Sequence, residues 1–270
     1  MRDEKLEIDG LPIHCQVSRG EGRTILFVHG NSSSGRTWTK QLVGALGDQF
    51  RCVAIDLPGH GDSSRFDSSS DYSLPRYASV VKAVANSFGS ESAVVVGWSL
   101  GGHIALEAAP LLPEAAGFLI FGTPPVGRPP AMESAFLPNP AMAIGLTAEV
   151  SKEDARAYAT SFLAPTSGLP LDDFIADIMR TDGAARSGVA AGIMSGNYTD
   201  ELEIVRSLAQ PLAIFHGRHE QLVNLDYLLG VDAPTLWRGQ VAVIEDAGHA
   251  PHQENSESFN GLLTNFLSEV

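Results

Sequence analysis

Along this chain, short unbroken apolar runs alternate with longer stretches whose apolar residues recur every three or four positions. The runs Thr24 to Val28, Arg51 to Ile55, Ala93 to Val96, Gly117 to Gly122, Pro211 to Phe215 and Val241 to Ile244 are too short for helices. They also lack the polar alternation of a strand with one wet face, so they predict strands buried on both faces, the pattern of a parallel sheet. Trp38 to Leu46, Leu74 to Phe88, His103 to Ala109 and Phe259 to Leu267 have helical spacing and supply the crossovers that parallel strands need. Leu6 to Ile8 and Ile13 to Val17, on either side of Asp9-Gly10, predict an opening hairpin.

The alternation fails between about Pro124 and Arg206, where Pro, Ala and Gly separate several helical stretches and no buried run occurs. The expectation is an α/β core of residues 1–123 and 207–270 interrupted by a helical cap of residues 124–206. Within the cap, Ser151 before Lys152-Glu153-Asp154 marks a helix start, because its hydroxyl can cap and the acids favour the N-terminal dipole. A helix over Ala155 to Phe162 follows, and Leu171 to Met179 predicts a second. Repeats and low-complexity tails are not seen.

Composition narrows the partners. With 270 residues and 44% apolar content the chain can build one large core. A formal charge of −14 argues against nucleic acid and anionic membranes. The first residues hold no apolar leader segment, and no stretch reaches about eighteen consecutive apolar residues, so a cytoplasmic protein is expected. Cys15 and Cys52 fall in predicted strands without metal-ligand spacing and read as reduced packing residues.

The candidate chemistry begins at Gly97-Trp98-Ser99-Leu100-Gly101, a G-x-S-x-G segment set between a predicted strand and a predicted helix. A serine hydroxyl is a weak nucleophile unless a tight turn exposes it beside a base, and this context supplies such a turn, which makes Ser99 the candidate nucleophile. His249, in a Gly- and Pro-bounded loop after the last strand, is the candidate base, with His252 as the weaker rival. The acid that orients the imidazole belongs on a loop between the two in chain order. Glu220, after the strand ending at Phe215, fits, whereas Asp226 lies in what reads as the next helix. His29 to Gly35 follows the first buried strand, where an oxyanion loop would lie, so the backbone N–H groups of Asn31 and Leu100 form the candidate oxyanion hole. Trp98 adjoins Ser99 and Tyr158 lies on a cap helix, and both are candidate substrate contacts. His29, His60, His103 and His216 read as structural.

Together these segments resemble the α/β-hydrolase family from the opening hairpin to the closing helix. A finer similarity is to bacterial N-acylhomoserine lactonases of that fold. It rests on His29 to Gly35, Gly97 to Ile104, Gly122 to Val126, Arg180-Thr181-Asp182-Gly183 and Leu236-Trp237. Glu220 adds to it, because those lactonases use Glu as the acid where most of the family has Asp. The resemblance implies a mostly parallel sheet flanked by helices, an inserted helical cap, and opening of a quorum-sensing lactone ring. It also implies a Ser99, Glu220, His249 triad with Asn31 at the oxyanion loop. Ala157-Tyr158-Ala159 is similar to a cap segment bearing a substrate-contacting Tyr. Pro129 to Ala148 and Pro165 to Pro170 depart from that pattern.

The expected substrate is a small-molecule ester or lactone, and the mechanism requires neither metal nor cofactor. A general short-chain carboxylesterase is the alternative, followed by a carbon–carbon bond hydrolase, a cofactor-free oxygenase and a hydrolase-like receptor. An aspartate in place of Ser99 would have pointed to epoxide or haloalkane chemistry.

Overall fold

The structure is a computed structural model and describes residues 1–89 and 92–270. Among the described residues, eight strands form one sheet: β1 (Arg2–Ile8), β2 (Leu11–Val17), β3 (Gly22–Val28), β4 (Phe50–Ile55), β5 (Val94–Trp98), β6 (Gly117–Phe121), β7 (Leu212–Gly217) and β8 (Ala242–Ile244). Their order is β1-β2-β4-β3-β5-β6-β7-β8. β1 and β2 pair antiparallel, as do β2 and β4, and every later pairing is parallel. Every residue of β5, β6 and β7 is buried, in keeping with their apolar composition. Asp9 and Gly10 both take positive φ, 52° and 78°, which matches the twist of the hairpin they close.

Helix Leu74–Ser87 packs on helix Leu100–Ala108. The closing helix Ser256–Glu269 sets Phe259 against Phe121 and Phe215, with ring centroids 4.9 and 5.7 Å apart. In the core, two elements differ most from expectation. β1 starts at Arg2 rather than Leu6, because an edge strand tolerates polar residues on its open side. The predicted helix over Trp38 to Leu46 is split into a 3-10 turn Gly35–Trp38 and short helices Thr39–Leu42 and Ala45–Gln49, since the chain turns extended at Val43 and Gly44, at φ +103°, opens the next helix.

Between β6 and β7 the described chain is helical, with its longer helices at Lys152–Ser161, Asp172–Arg180, Gly183–Met194 and Glu201–Ser207. Ser151 and Asp154 form a reciprocal capping box. Helix Glu201–Ser207 runs one residue past the expected cap boundary at Arg206. Asp182 clamps this region to the core, accepting from Tyr72 Oη at 2.7 Å while its N–H donates to Gly59 O at 2.8 Å. Arg186 is buried and donates to the carbonyls of Thr147, Ala148 and Ile178 at 2.8, 2.8 and 3.1 Å.

A second set of bonds joins the helical region to the loops after β7 and β8. Ala250 N–H donates to Phe162 O at 2.9 Å, Ala164 N–H to Glu254 Oε1 at 2.7 Å and Gln221 Nε2 to Leu163 O at 2.6 Å. Cys15 and Cys52 are free and buried, and burial pushes both thiols up, that of Cys52 to about 12. Among the described residues no helix is long and apolar enough to cross a membrane.

Candidate active site

Ser99 is the N-cap of helix Leu100–Ala108, at φ 54° and ψ −119°, a strained conformation imposed by the turn from β5 into the helix. Its N–H donates to Phe121 O at 2.9 Å, and Thr123 Oγ1 donates to Ser99 O at 2.8 Å, so β6 and its following loop hold the turn. A Cβ at Gly97 would collide with Gly101 O, and one at Gly101 with Val28 O, which is why both flanking positions are glycine.

His249 sits on the loop after β8 and Glu220 on the loop after β7. His249 Nδ1 lies 2.8 Å from Glu220 Oε2, and each side chain is only 2% exposed. Leu222 N–H donates to the other carboxylate oxygen at 2.8 Å. Burial pushes the Glu220 carboxyl up, but the facing His249 imidazole, its hydrogen bond and the Leu222 amide hold it below the usual carboxylate range. The ionised acid can only accept, so Nδ1 donates to it, and in the neutral ring Nε2 then carries the lone pair. Nε2 has no hydrogen bond to any described residue, and His249 and Ser99 line the same cavity.

The imidazole is boxed in. Phe162 stacks on it at a centroid distance of 5.9 Å, and Trp98 lies 5.8 Å away. The structure does not bring Trp98 to the cavity wall: the indole is fully buried, and its N–H donates to His249 O at 2.8 Å. Tyr158 does line the cavity, and its hydroxyl makes no hydrogen bond to a described residue. Asn31 and Leu100 line it as well. Leu100 is the first residue of its helix, so its N–H has no acceptor within the helix. The Asn31 side chain donates to Gly145 O at 2.6 Å, which joins the loop after β3 to the helical region.

The cavity measures about 390 Å³ and is mainly apolar, with Phe136, Met142, Val189 and Ile193 in its wall. Met194 and Leu146, 89% and 44% exposed, form its rim. Sequence reasoning missed these wall residues, Phe162 and Thr123. It also read His103 as structural, whereas His103 lines the cavity.

The other histidines are elsewhere. His252 is buried among Trp38, Trp98 and Phe121 and shares a 2.9 Å hydrogen bond with Thr37 Oγ1, and burial pushes it well below its ordinary value. His29 Nε2 accepts from Leu57 N–H at 3.0 Å, which braces the loop beneath the site. Burial lowers His60 to about 3. Asp226 is exposed in helix Leu225–Leu229. Among the described residues, His14, Asp56 and Asp62 are the group with metal-ligand spacing. Asp56 there already accepts from Gly35 N–H at 2.5 Å and Asp62 N–H at 2.8 Å and meets His14 Nδ1 at 2.8 Å, and none of the three lines the cavity.

A serine at a strand-to-helix turn and a carboxylate-bound imidazole lining one mainly apolar cavity define a class. The chain belongs to the alpha/beta hydrolase family, whose model matches residues 25–262, and it is an ester hydrolase of that fold. Among individual proteins, it is similar to the N-acyl homoserine lactonase AidH. A mutant of AidH complexed with N-hexanoyl homoserine lactone has a TM-score of 0.94 and 36% identity, covering 99% of this chain and 97% of that one. AidH complexed with N-butanoyl homoserine gives a TM-score of 0.94 and 37% identity over 99% and 96% of the two chains. The chain is also similar to the pimeloyl-[acyl-carrier protein] methyl ester esterase of Methylococcus capsulatus, 33% identical over 262 residues, 92% of this chain and 96% of that protein.

Proposed function

We propose that the protein is a serine lactonase that opens N-acylhomoserine lactones, with Ser99, His249 and Glu220 as its triad. The observation that carries this reading is the likeness to AidH across almost the whole chain, the helical region over the cavity included. Ser99 Oγ attacks the lactone carbonyl carbon while His249 Nε2 takes its proton, and Glu220 holds the imidazole in the tautomer this requires. The N–H groups of Asn31 and Leu100 stabilise the tetrahedral oxyanion. When the ring C–O bond breaks, the proton on Nε2 passes to the leaving alkoxide, and the acyl group stays on Ser99. Water, activated by the same Nε2, then releases the hydroxy acid.

The new alcohol remains tethered to the acyl group, so the ring recloses unless that arm swings aside and water replaces it. The cavity has room for this exchange, and Tyr158, with an unengaged hydroxyl, is a substrate contact in this reading. Opening such lactones silences the signal they carry. An acyclic methyl ester fits the same machinery, and the similarity to the pimeloyl methyl ester esterase favours that second reading.

The test incubates the protein and Ser99→Ala with N-hexanoyl homoserine lactone and, separately, with pimeloyl methyl ester, following both by mass spectrometry. Lactone opening that Ser99→Ala loses is the expected result. Ester cleavage with the lactone intact would overturn the lactonase reading in favour of the esterase.

A further inference from the structure

Helix Leu100–Ala108 brings a second imidazole to the cavity wall, one turn beyond Ser99. His103 Nδ1 lies 2.8 Å from Glu201 Oε1 and 3.0 Å from Oε2. Glu201 is 0% exposed, at the start of helix Glu201–Ser207, and also accepts from Val126 N–H at 2.8 Å. The pair stands where the cavity meets a narrow apolar recess of about 40 Å³, whose walls include Leu100, Met132 and Phe136.

Anchoring the helical region does not require this imidazole. Glu107, one turn further along the same helix, already accepts from Thr199 N–H and Oγ1 at 2.8 and 2.7 Å, and Glu201 N–H donates to Val126 O at 3.0 Å. An apolar side chain in place of His103 would match the recess better, and a buried carboxylate is costly unless it is paired. What the pairing fixes is the tautomer of the neutral ring: a carboxylate only accepts, so Nδ1 donates to it and Nε2 is left with the lone pair. No described residue bonds to Nε2. An oriented acceptor at the mouth of an apolar recess selects a ligand that carries a donor.

We propose that His103 is a specificity-determining residue whose Nε2 accepts a hydrogen bond from the amide N–H of an N-acylated α-amino lactone or ester bound at Ser99. The lactone half of this statement rests on the proposed function; recognition of the N–H does not. With the carbonyl carbon at Ser99 Oγ, the amide nitrogen is two bonds away, within reach of a side chain one helical turn on. The apolar wall then takes the acyl chain.

The test measures kcat/KM for two matched pairs. One is N-hexanoyl homoserine lactone and its isostere with CH2 replacing the amide N–H; the other is N-hexanoylglycine methyl ester and its corresponding isostere. The wild-type protein is expected to prefer the amide member of each reactive pair by roughly tenfold. His103→Asn keeps a donor for Glu201 at the Nδ1 position and deletes Nε2, so it is expected to lower kcat/KM for the amide member roughly tenfold more than for the CH2 member. His103→Gln returns a polar atom near the Nε2 position and is expected to recover part of that preference. Equal losses for both members, or a wild-type protein indifferent to the N–H, would overturn the proposal. Lactones left closed while the esters keep their amide preference would remove the lactonase reading and leave the His103 assignment standing.

Discussion

Replacing Gly122 with alanine puts one methyl group against the imidazole of His249 while leaving all three candidate triad side chains chemically unchanged. Gly122 has φ +60°, and a Cβ built there lies 2.7 Å from His249 Cε1 and 2.9 Å from Nδ1. Carbon atoms in ordinary contact sit about 3.5 Å apart or more, so the ring must retreat by roughly 0.8 Å. It has nowhere to go at low cost, because Phe162 and Trp98 pack against it and Nδ1 is tied to Glu220 at 2.8 Å. A misplacement near 1 Å in a catalytic group costs on the order of a hundredfold in rate, or about 2.7 kcal/mol of barrier. Positive φ in alanine costs a further ~1–2 kcal/mol of stability. Gly89 is the internal control: it has the same φ of +60°, and a Cβ there meets no atom of a described residue within 4 Å. Urea unfolding of Gly122→Ala and Gly89→Ala should therefore show similar backbone penalties, while kcat on a p-nitrophenyl ester should fall only in Gly122→Ala. If Gly122→Ala stays folded and keeps kcat within about threefold of wild type, the ring is not confined as described and the reasoning fails.

Trp98→Phe removes the N–H that reaches His249 O and leaves that buried carbonyl unpaired, at about 1–3 kcal/mol. Steady-state kinetics should show a lower kcat with little change in KM, and a raised KM at constant kcat would instead make Trp98 a substrate contact. Acid should destabilise the fold through His60 and His252, which burial keeps neutral, His60 down to about 3. Their folded values lie below the unfolded value near 6.5, so the unfolded chain binds protons first and stability falls as pH drops below that point. His29 and His216 are lowered by burial as well, so these groups together give a slope of at least about 2.7 kcal/mol per pH unit. His14 works in the opposite sense, its value raised first by the hydrogen bond it donates to Asp56, but its contribution is complete below the unfolded value and does not flatten this slope. A urea midpoint that is unchanged from about pH 6.5 to about pH 5 would contradict the buried neutral state of these rings.

Ser99 was legible because three signals coincide there: a β-branched run fills β5, glycines at 97 and 101 permit the close approach to Val28 and Gly101 carbonyls, and helical spacing resumes at once. The position of Glu220 followed from the order of strands. Trp98 was placed at the cavity because it neighbours Ser99 in sequence, yet successive strand residues face opposite sides of the sheet, and its ring packs with Phe162 and His252 instead. The role of His103 was hidden for a different reason. Its partner Glu201 lies on a helix near the far end of the inserted region, and nothing local in either segment announces the other. Gly44 shows the limit of periodicity itself: the apolar spacing runs through it while the backbone turns at φ +103°.

The bonds from Ala250, Glu254 and Gln221 to residues 162–164 have a consequence for how such proteins diversify. They make the segment around Phe162 part of the mounting of the His249 loop, although it lies within the inserted helical region. A module swap that exchanged the whole insertion for a relative's would discard the ring that backs His249 together with the substrate walls. Recombination that alters the cavity walls without disturbing His249 must therefore cross over outside this strip, drawing its donor sequence from the segments carrying Phe136, Met142 and Ile193. The strip itself belongs to the inheritance of the core.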